Sequence, residues 1–273
     1  MTRIAVNGIG LNVESSGHGA GPALVLLHGF TRDHREWEPL LPCFDHYRTI
    51  RVDLIGHGKS DSPDAATRYS MSHAVDDLMA LLHHLEIERT ALLGYSLGGR
   101  VALHLAVEAP ELLWALVIES SSPGIEDPGE RAARATSDEK LALSIERDGV
   151  EAFVERWQSQ PLFASQSRLP AAVLESQKRQ RLANSAGGLA NSLRGMGAGA
   201  QQFLLPQMAA IDVPALFIAG ELDERYAALA HRMASEVPGA ASQIIEGAGH
   251  TTHLEQLETF AEAAGRFLAL HRP

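Results

Sequence analysis

Cysteine is almost absent from this chain: Cys43 stands alone among 273 residues. An internal disulfide is therefore impossible, and a reducing, cytoplasmic setting is expected. Positive charge is in deficit too, with 23 Lys and Arg against 34 Asp and Glu and a formal net charge of −11. Such a surface repels phosphate backbones, which argues against a nucleic-acid partner. Long apolar runs are also missing. No stretch approaches the roughly eighteen residues of a membrane span, so no membrane insertion is expected. The start of the chain lacks the basic-then-apolar pattern of a secretory signal. None of this excludes a small anionic ligand, because local arginines can reverse the sign inside a pocket. What remains is ordinary globular composition, 45% hydrophobic and 21% charged. The length suits one large α/β domain, or a core carrying an insertion.

Short runs of Val, Ile and Leu alternate with helix-length amphipathic stretches. Ile4–Val6 and Leu11–Glu14, joined by Asn7-Gly8, predict an opening hairpin. Strands are predicted at Ala23–Leu27, Thr49–Leu54, Ala91–Leu93 and Leu113–Ile118, and again at Ala215–Ala219 and Ser242–Ile245. Between Ser70 and Leu85 the apolar residues Met71, Ala74, Val75, Leu78, Leu81, Leu82 and Leu85 recur on one helical face. Further helices are predicted over Leu97–Ala109 and Leu254–Leu270. From Ser121 to about Met208 no strong strand pattern occurs, and arginine becomes frequent. The expected fold is therefore α/β: a mostly parallel central sheet with helices on both faces, and a helical cap inserted after the sixth strand. The expected division is a core of residues 1–120 and 209–273 with a cap of 121–208 over the carboxyl edge, where open α/β sheets bind ligands.

Gly94-Tyr95-Ser96-Leu97-Gly98 joins a predicted strand to a predicted helix. That is the setting in which G-x-S-x-G forms a nucleophile elbow, a strained turn that exposes the serine hydroxyl. A serine needs a base, and the base needs a partner that fixes its tautomer. Asp223 follows one late strand, and His250 lies in a Gly-rich loop after the next, so Ser96, Asp223 and His250 are the candidate catalytic set. Glu221 is the rival acid. The backbone N–H groups of Leu97 and Phe30 are the candidate oxyanion hole. His28 is expected to stabilise its loop and His57 to be packed. His83 and His84 do not share a helical face, and His250 with His253 has no third ligand at hand, so no metal is expected, and no cofactor. Cys43 is expected to be a small buried side chain.

These motifs resemble the α/β-hydrolase superfamily over essentially the whole chain. More narrowly, the chain resembles the 2-succinyl-6-hydroxy-2,4-cyclohexadiene-1-carboxylate synthases of menaquinone biosynthesis. The narrower likeness rests on His28-Gly-Phe-Thr31, Gly94–Ala102, Glu119–Gly124, Arg131-Ala-Ala-Arg134, Trp157 with Gln160–Ser165, Arg181 ahead of Gly188-Leu189, Gly220–Tyr226 and Ala248–His253. The resemblance implies a lyase that expels pyruvate from an enolpyruvyl cyclohexene carboxylate, with the serine set removing a ring proton. It also implies substrate contacts from Tyr95, Arg100, Arg134, Trp157 and Arg181. Two departures stand out. Arg32-Asp33 follows Thr31 where a glycine is usual, and Ala198 stands where threonine is expected.

The arginines carry independent weight. A planar guanidinium holds a carboxylate through two parallel hydrogen bonds, and Arg100 lies one helical turn beyond Ser96. A small polycarboxylate substrate is the expected partner. The bland alternative for Arg134 and Arg181 is solvation, or pairing with Glu126, Glu130 or Glu151. Arg147, Arg156 and Arg168 read as surface charges. The competing functions are a serine carboxylesterase or carbon–carbon bond hydrolase with the same residues, and a non-enzymatic binding protein on the same fold.

Overall fold

Alternation along the buried strands sets the layers of the molecule. In the computed structural model, which describes residues 2–17, 19 and 21–273, β3 (Ala23–Leu27) turns Leu24 and Leu26 to one apolar layer and Val25 and Leu27 to the other. β6 (Leu113–Glu119) does the same, with Val117 on one side and Leu116 and Ile118 on the other. Successive side chains in a strand point to opposite faces, so strands apolar throughout must be covered twice.

The sheet has eight strands in the order β1-β2-β4-β3-β5-β6-β7-β8. The remaining strands are β1 (Thr2–Val6), β2 (Ile9–Gly17), β4 (Arg48–Val52), β5 (Thr90–Tyr95), β7 (Ala215–Gly220) and β8 (Ala241–Ile245). β2 runs antiparallel to β1 and β4, and every other pairing is parallel. Helices α1 (Met71–His84) and α2 (Leu97–Glu108) pack in one layer. α8 (Leu257–Leu270) and a 3-10 helix over His34–Phe44 pack in the other. The chain breaks at Gln256 (φ −140°), so a short α7 (Thr252–Glu255) precedes α8 where one continuous helix is predicted. α6 (Glu224–Glu236) joins β7 to β8.

Between β6 and β7 the regular elements are all helical: α3 (Pro128–Gln158), α4 (Ala171–Leu182), α5 (Ala186–Met196) and short 3-10 turns. α3 is interrupted at Gly149 (φ +83°, ψ 169°), a conformation open essentially only to glycine. This segment has its own apolar cluster, including Ile145, Phe153, Val154, Leu189 and Leu193. Cys43 corrects an expectation, for it is exposed. The 3-10 helix points Trp37, Leu40 and Phe44 inward, and Cys43 falls on its outer side. Among the described residues no helix is long and apolar enough to cross a membrane.

Candidate active site

Ser96 sits between β5 and α2 with φ +51° and ψ −105°, a strained conformation for a residue with a Cβ. The flanking glycines allow the turn. A Cβ on Gly98 would lie 2.2 Å from the carbonyl oxygen of Leu27, and one on Gly94 would lie 2.5 Å from that of Gly98. The elbow is pinned by the Ser96 amide donating to the Glu119 carbonyl (2.9 Å), and by the Gly98 amide donating to that of His28 (3.0 Å).

His250, buried in the loop after β8, places Nε2 3.2 Å from Ser96 Oγ. Its Nδ1 is 2.7 Å from Oδ2 of Asp223, which caps α6 after β7. A proton on Nδ1 facing the carboxylate leaves Nε2 free to accept from the serine hydroxyl. The rings of Tyr226 (4.6 Å), Tyr95 (5.5 Å) and Phe163 (6.3 Å) surround the imidazole. Glu221 is exposed and accepts from the Gly247 amide, so the rival acid lies in a loop contact.

Phe30, Ser96 and Leu97 line one cavity with Arg100, Arg134, Met196 and Tyr226. Among the described residues neither the Phe30 nor the Leu97 amide donates a hydrogen bond. Beside them, His28 receives the Leu54 amide on Nε2 (3.0 Å), with Nδ1 on the Gly29 carbonyl (2.8 Å), so it holds the loop. His57 is packed against Phe30, and burial pulls its pKa down to about 3.

The five candidate substrate contacts separate. Arg100 lines the cavity and donates to the Met196 carbonyl (2.5 Å) and Gln201 Oε1 (3.4 Å), with no carboxylate partner among the described residues. Burial lowers its pKa to about 10. Arg134 also lines the cavity and pairs with Asp138 on its own helix (2.8 Å), where the sequence suggests Glu126, Glu130 or Glu151. Arg181 is buried at the end of α4, its guanidinium 5.3 Å from the Phe163 ring, in a separate cleft shared with Lys178. Its Nε has no hydrogen-bond partner among the described residues, and burial, then repulsion from Arg32, lowers its pKa to about 9. Trp157 packs against Phe30 (5.4 Å) and Phe153 (5.5 Å) and lies outside the cavity lining.

Tyr95 is also outside that lining. Alternation in β5 turns it with Ala91 and Leu93 into the opposite layer, where its hydroxyl meets Thr251 Oγ1 at 2.8 Å. Tyr226 lines the cavity together with Phe30. It stands three residues after Asp223 in the first turn of α6, a helical neighbour of the acid.

One group of metal-type ligands occurs among the described residues, at Asp33, His34 and Asp53. Asp53 already holds His34 Nδ1 (2.8 Å), Asn12 Nδ2 (2.8 Å) and the Lys59 amide (2.9 Å), while Asp33 caps the 3-10 helix. This is a brace between loops.

A serine on a strained strand-to-helix turn, met by a histidine and an acid from loops after later strands, defines a known architecture. The chain belongs to the α/β-hydrolase fold family, whose sequence pattern matches residues 22–257. It is 41% identical over 262 residues to a Bacillus subtilis (strain 168) protein provisionally named 2-succinyl-6-hydroxy-2,4-cyclohexadiene-1-carboxylate synthase, covering 96% of each chain. A Salmonella heidelberg protein named as that synthase is 33% identical over 257 residues, covering 93% of this chain and 96% of its own. Among solved structures, MenH from S. aureus superposes with a TM-score of 0.91 at 33% identity, covering 96% of this chain and 98% of that one.

Proposed function

We propose that the protein is a carbon–oxygen lyase of the synthase type. Its substrate would be 2-succinyl-5-enolpyruvyl-6-hydroxy-3-cyclohexene-1-carboxylate, from which it eliminates pyruvate. The synthase relatives support the reaction class, and Arg100 is the observation that carries it. A half-buried guanidinium beside a serine, without an anionic partner among the described residues, is costly unless the ligand brings the anion. A neutral ester gives no reason to keep one there.

In this reading Ser96, His250 and Asp223 act as a catalytic triad used as a base. His250 takes the Ser96 proton, and the serine oxygen removes the ring hydrogen next to the succinyl ketone. Charge develops on the ketone oxygen, where the Phe30 and Leu97 amides form the oxyanion hole. The electron pair then moves through the ring alkene, giving the conjugated diene and breaking the carbon–oxygen bond to the enolpyruvyl group. The His250 imidazolium returns its proton to the leaving enolpyruvate, which becomes pyruvate, and Ser96 keeps the proton taken from the ring. Arg100 and Arg134 hold carboxylates at the cavity, and Arg181, in a separate cleft, a further one.

The cavity measures about 70 Å³, room for about two waters. The helical segment over residues 121–208 therefore acts as a cap that parts to admit substrate. The deciding experiment supplies the enolpyruvyl substrate and follows pyruvate release. Steady release with appearance of the diene is expected. Hydrolysis of neutral esters with no pyruvate formed would assign the chain to the esterases.

A further inference from the structure

Beneath the site runs a line of fully buried charges that the reaction does not consume. Glu119 ends β6, and its carboxylate accepts from Thr252 Oγ1 (2.6 Å), the His253 amide (3.0 Å) and His253 Nδ1 (2.7 Å). On the far side of the ring, His253 Nε2 is 3.6 Å from Glu36 Oε1. Glu36 Oε2 accepts the Gly29 amide (2.9 Å), and Oε1 lies 3.3 Å from Arg32 Nε. Arg32 Nη2 in turn donates to Gln177 Oε1 (2.6 Å) on α4. Glu119, His253, Glu36, Arg32 and Gln177 are all buried.

Each part of the site meets this line. The elbow hangs on the backbone of Glu119 through the Ser96 amide. The His250 loop is tied by Thr252 and His253, and the Phe30 loop by Gly29. The ring of His253 stands between two carboxylates, with Nδ1 on Glu119 and Nε2 towards Glu36, while Arg32 and the nearby Arg181 act on Glu36 from its other side. A ring protonated on both nitrogens turns an N–H to each carboxylate, whereas a neutral ring would turn a bare lone pair on one of them, which is strongly disfavoured at this depth. The rings packed on His253, those of Trp37 (4.8 Å), Tyr95 (5.0 Å) and Phe260 (5.9 Å), bring no charge of their own.

We propose that Glu119, His253 held as an imidazolium, and Glu36 form a buried brace that positions the Phe30 amide and His250 about Ser96. These are positioning residues, for none of them lines the Ser96 cavity. His253 then carries the charge that holds the loops, while the reaction uses His250 as the proton acceptor. Burial disfavours the charge on His253, but Glu119 and Glu36 overcome it and raise its pKa to about 9. The proposal rests on Ser96 being the reacting hydroxyl, and is tested apart from the synthase reaction.

Two measurements decide it. In ¹⁵N-histidine-labelled protein at neutral pH, the His253 ring is expected to show both nitrogens protonated, while His250 shows one. A neutral His253 ring overturns the brace, and this needs no variant. The second measurement is the rate at which a neutral organophosphonate labels Ser96, in the wild type and in Glu36→Gln. The amide oxygen of glutamine can still receive the Gly29 N–H, while the carboxylate that faces Arg32 and His253 is lost. Labelling and kcat for pyruvate release are expected to fall about 10- to 100-fold, the cost of small misplacement, with KM changing little. Wild-type labelling in Glu36→Gln would also overturn the brace. Should the protein release no pyruvate, the synthase reading fails, while the ring spectrum and the labelling rate still decide the brace.

Discussion

The sheet and the helical segment between β6 and β7 are held by different means. β3, β5, β6 and β7 are buried along their whole length, between apolar layers on both faces. In α4, by contrast, the buried residues are Gln177, Gln180 and Arg181. Around α4 the segment meets the core largely through polar groups, while Met196, Leu204, Leu205 and Met208 at its far end join the apolar layer of the core. Asn184 receives the Gly58 amide (3.0 Å) and donates to the Thr31 carbonyl (2.9 Å), and Gln166 donates to Thr251 Oγ1 (2.8 Å). Water can replace hydrogen bonds at a net cost of about 1 kcal/mol each, whereas exposing a buried leucine costs about 1.5–3 kcal/mol. The sheet is thus held by apolar burial, and the seam around α4 by hydrogen bonds that water can replace.

The largest effect expected belongs to the core. Ser96→Ala should lower pyruvate release by roughly 10⁴–10⁶-fold, the range for losing a member of such a set. Near-normal turnover would leave Ser96 as a mere wall of the cavity. Next, Arg100→Ala should lose roughly 2–5 kcal/mol of transition-state binding, the range for truncating one partner of a buried charge pair. Arg134→Ala should lose less, because Arg134 is 42% exposed and already paired with Asp138. Hydrolysis of a small neutral ester should be nearly unaffected in both variants. Equal losses on both substrates would make the arginines structural and weaken the synthase reading.

Stability gives a second test of the contrast. Leu26→Ala, at a fully buried sheet position, should cost about 2–5 kcal/mol in denaturant unfolding. Leu143→Ala in α3, where the side chain is 53% exposed, should stay within about 0.5 kcal/mol. A large cost at Leu143 would show that the segment is bound to the core more tightly than its polar seam implies.

The pH dependence is finer. His253, raised from 6.5 to about 9, contributes stability that is full below its unfolded value and is lost as pH climbs through about 9. The loss from this group should be on the order of 3 kcal/mol. His57 works the other way. Its pKa is depressed from 6.5 to about 3, so the stability it confers declines as pH falls across that interval. Denaturant titrations across the range should show both slopes, and His253→Gln should remove the alkaline one.

The strands and the elbow were legible because both are local. A run such as Ala23–Leu27, apolar at every position, can only be a doubly covered strand. Ser96 announces itself through the glycines that its turn requires. Asp223 and His250 could be named because they follow strands whose carboxyl ends share one edge. The direction of a side chain beyond its own element was not legible. Tyr95 neighbours Ser96 in sequence, yet the period of the strand sends it to the opposite layer. Arg181 and Trp157 lie in helices whose docking depends on the rest of the fold. Nor could the chain alone suggest that Glu36, His253 and Glu119 meet, since their pairing joins three distant loops.

Gly149 bears on the size of what the segment covers. At 1.5 Å per residue, an unbroken helix as long as α3 would be a rod of about 46 Å, close to the width of a domain of this length. Such a rod would overshoot the sheet and carry Trp157 beyond reach of Phe30. A Cβ at Gly149 would meet nothing within 4 Å, so crowding is not what requires glycine there. The demand is one of direction alone. One residue without a side chain folds a span into two shorter arms, and so sets the footprint that the helices cast over Ser96.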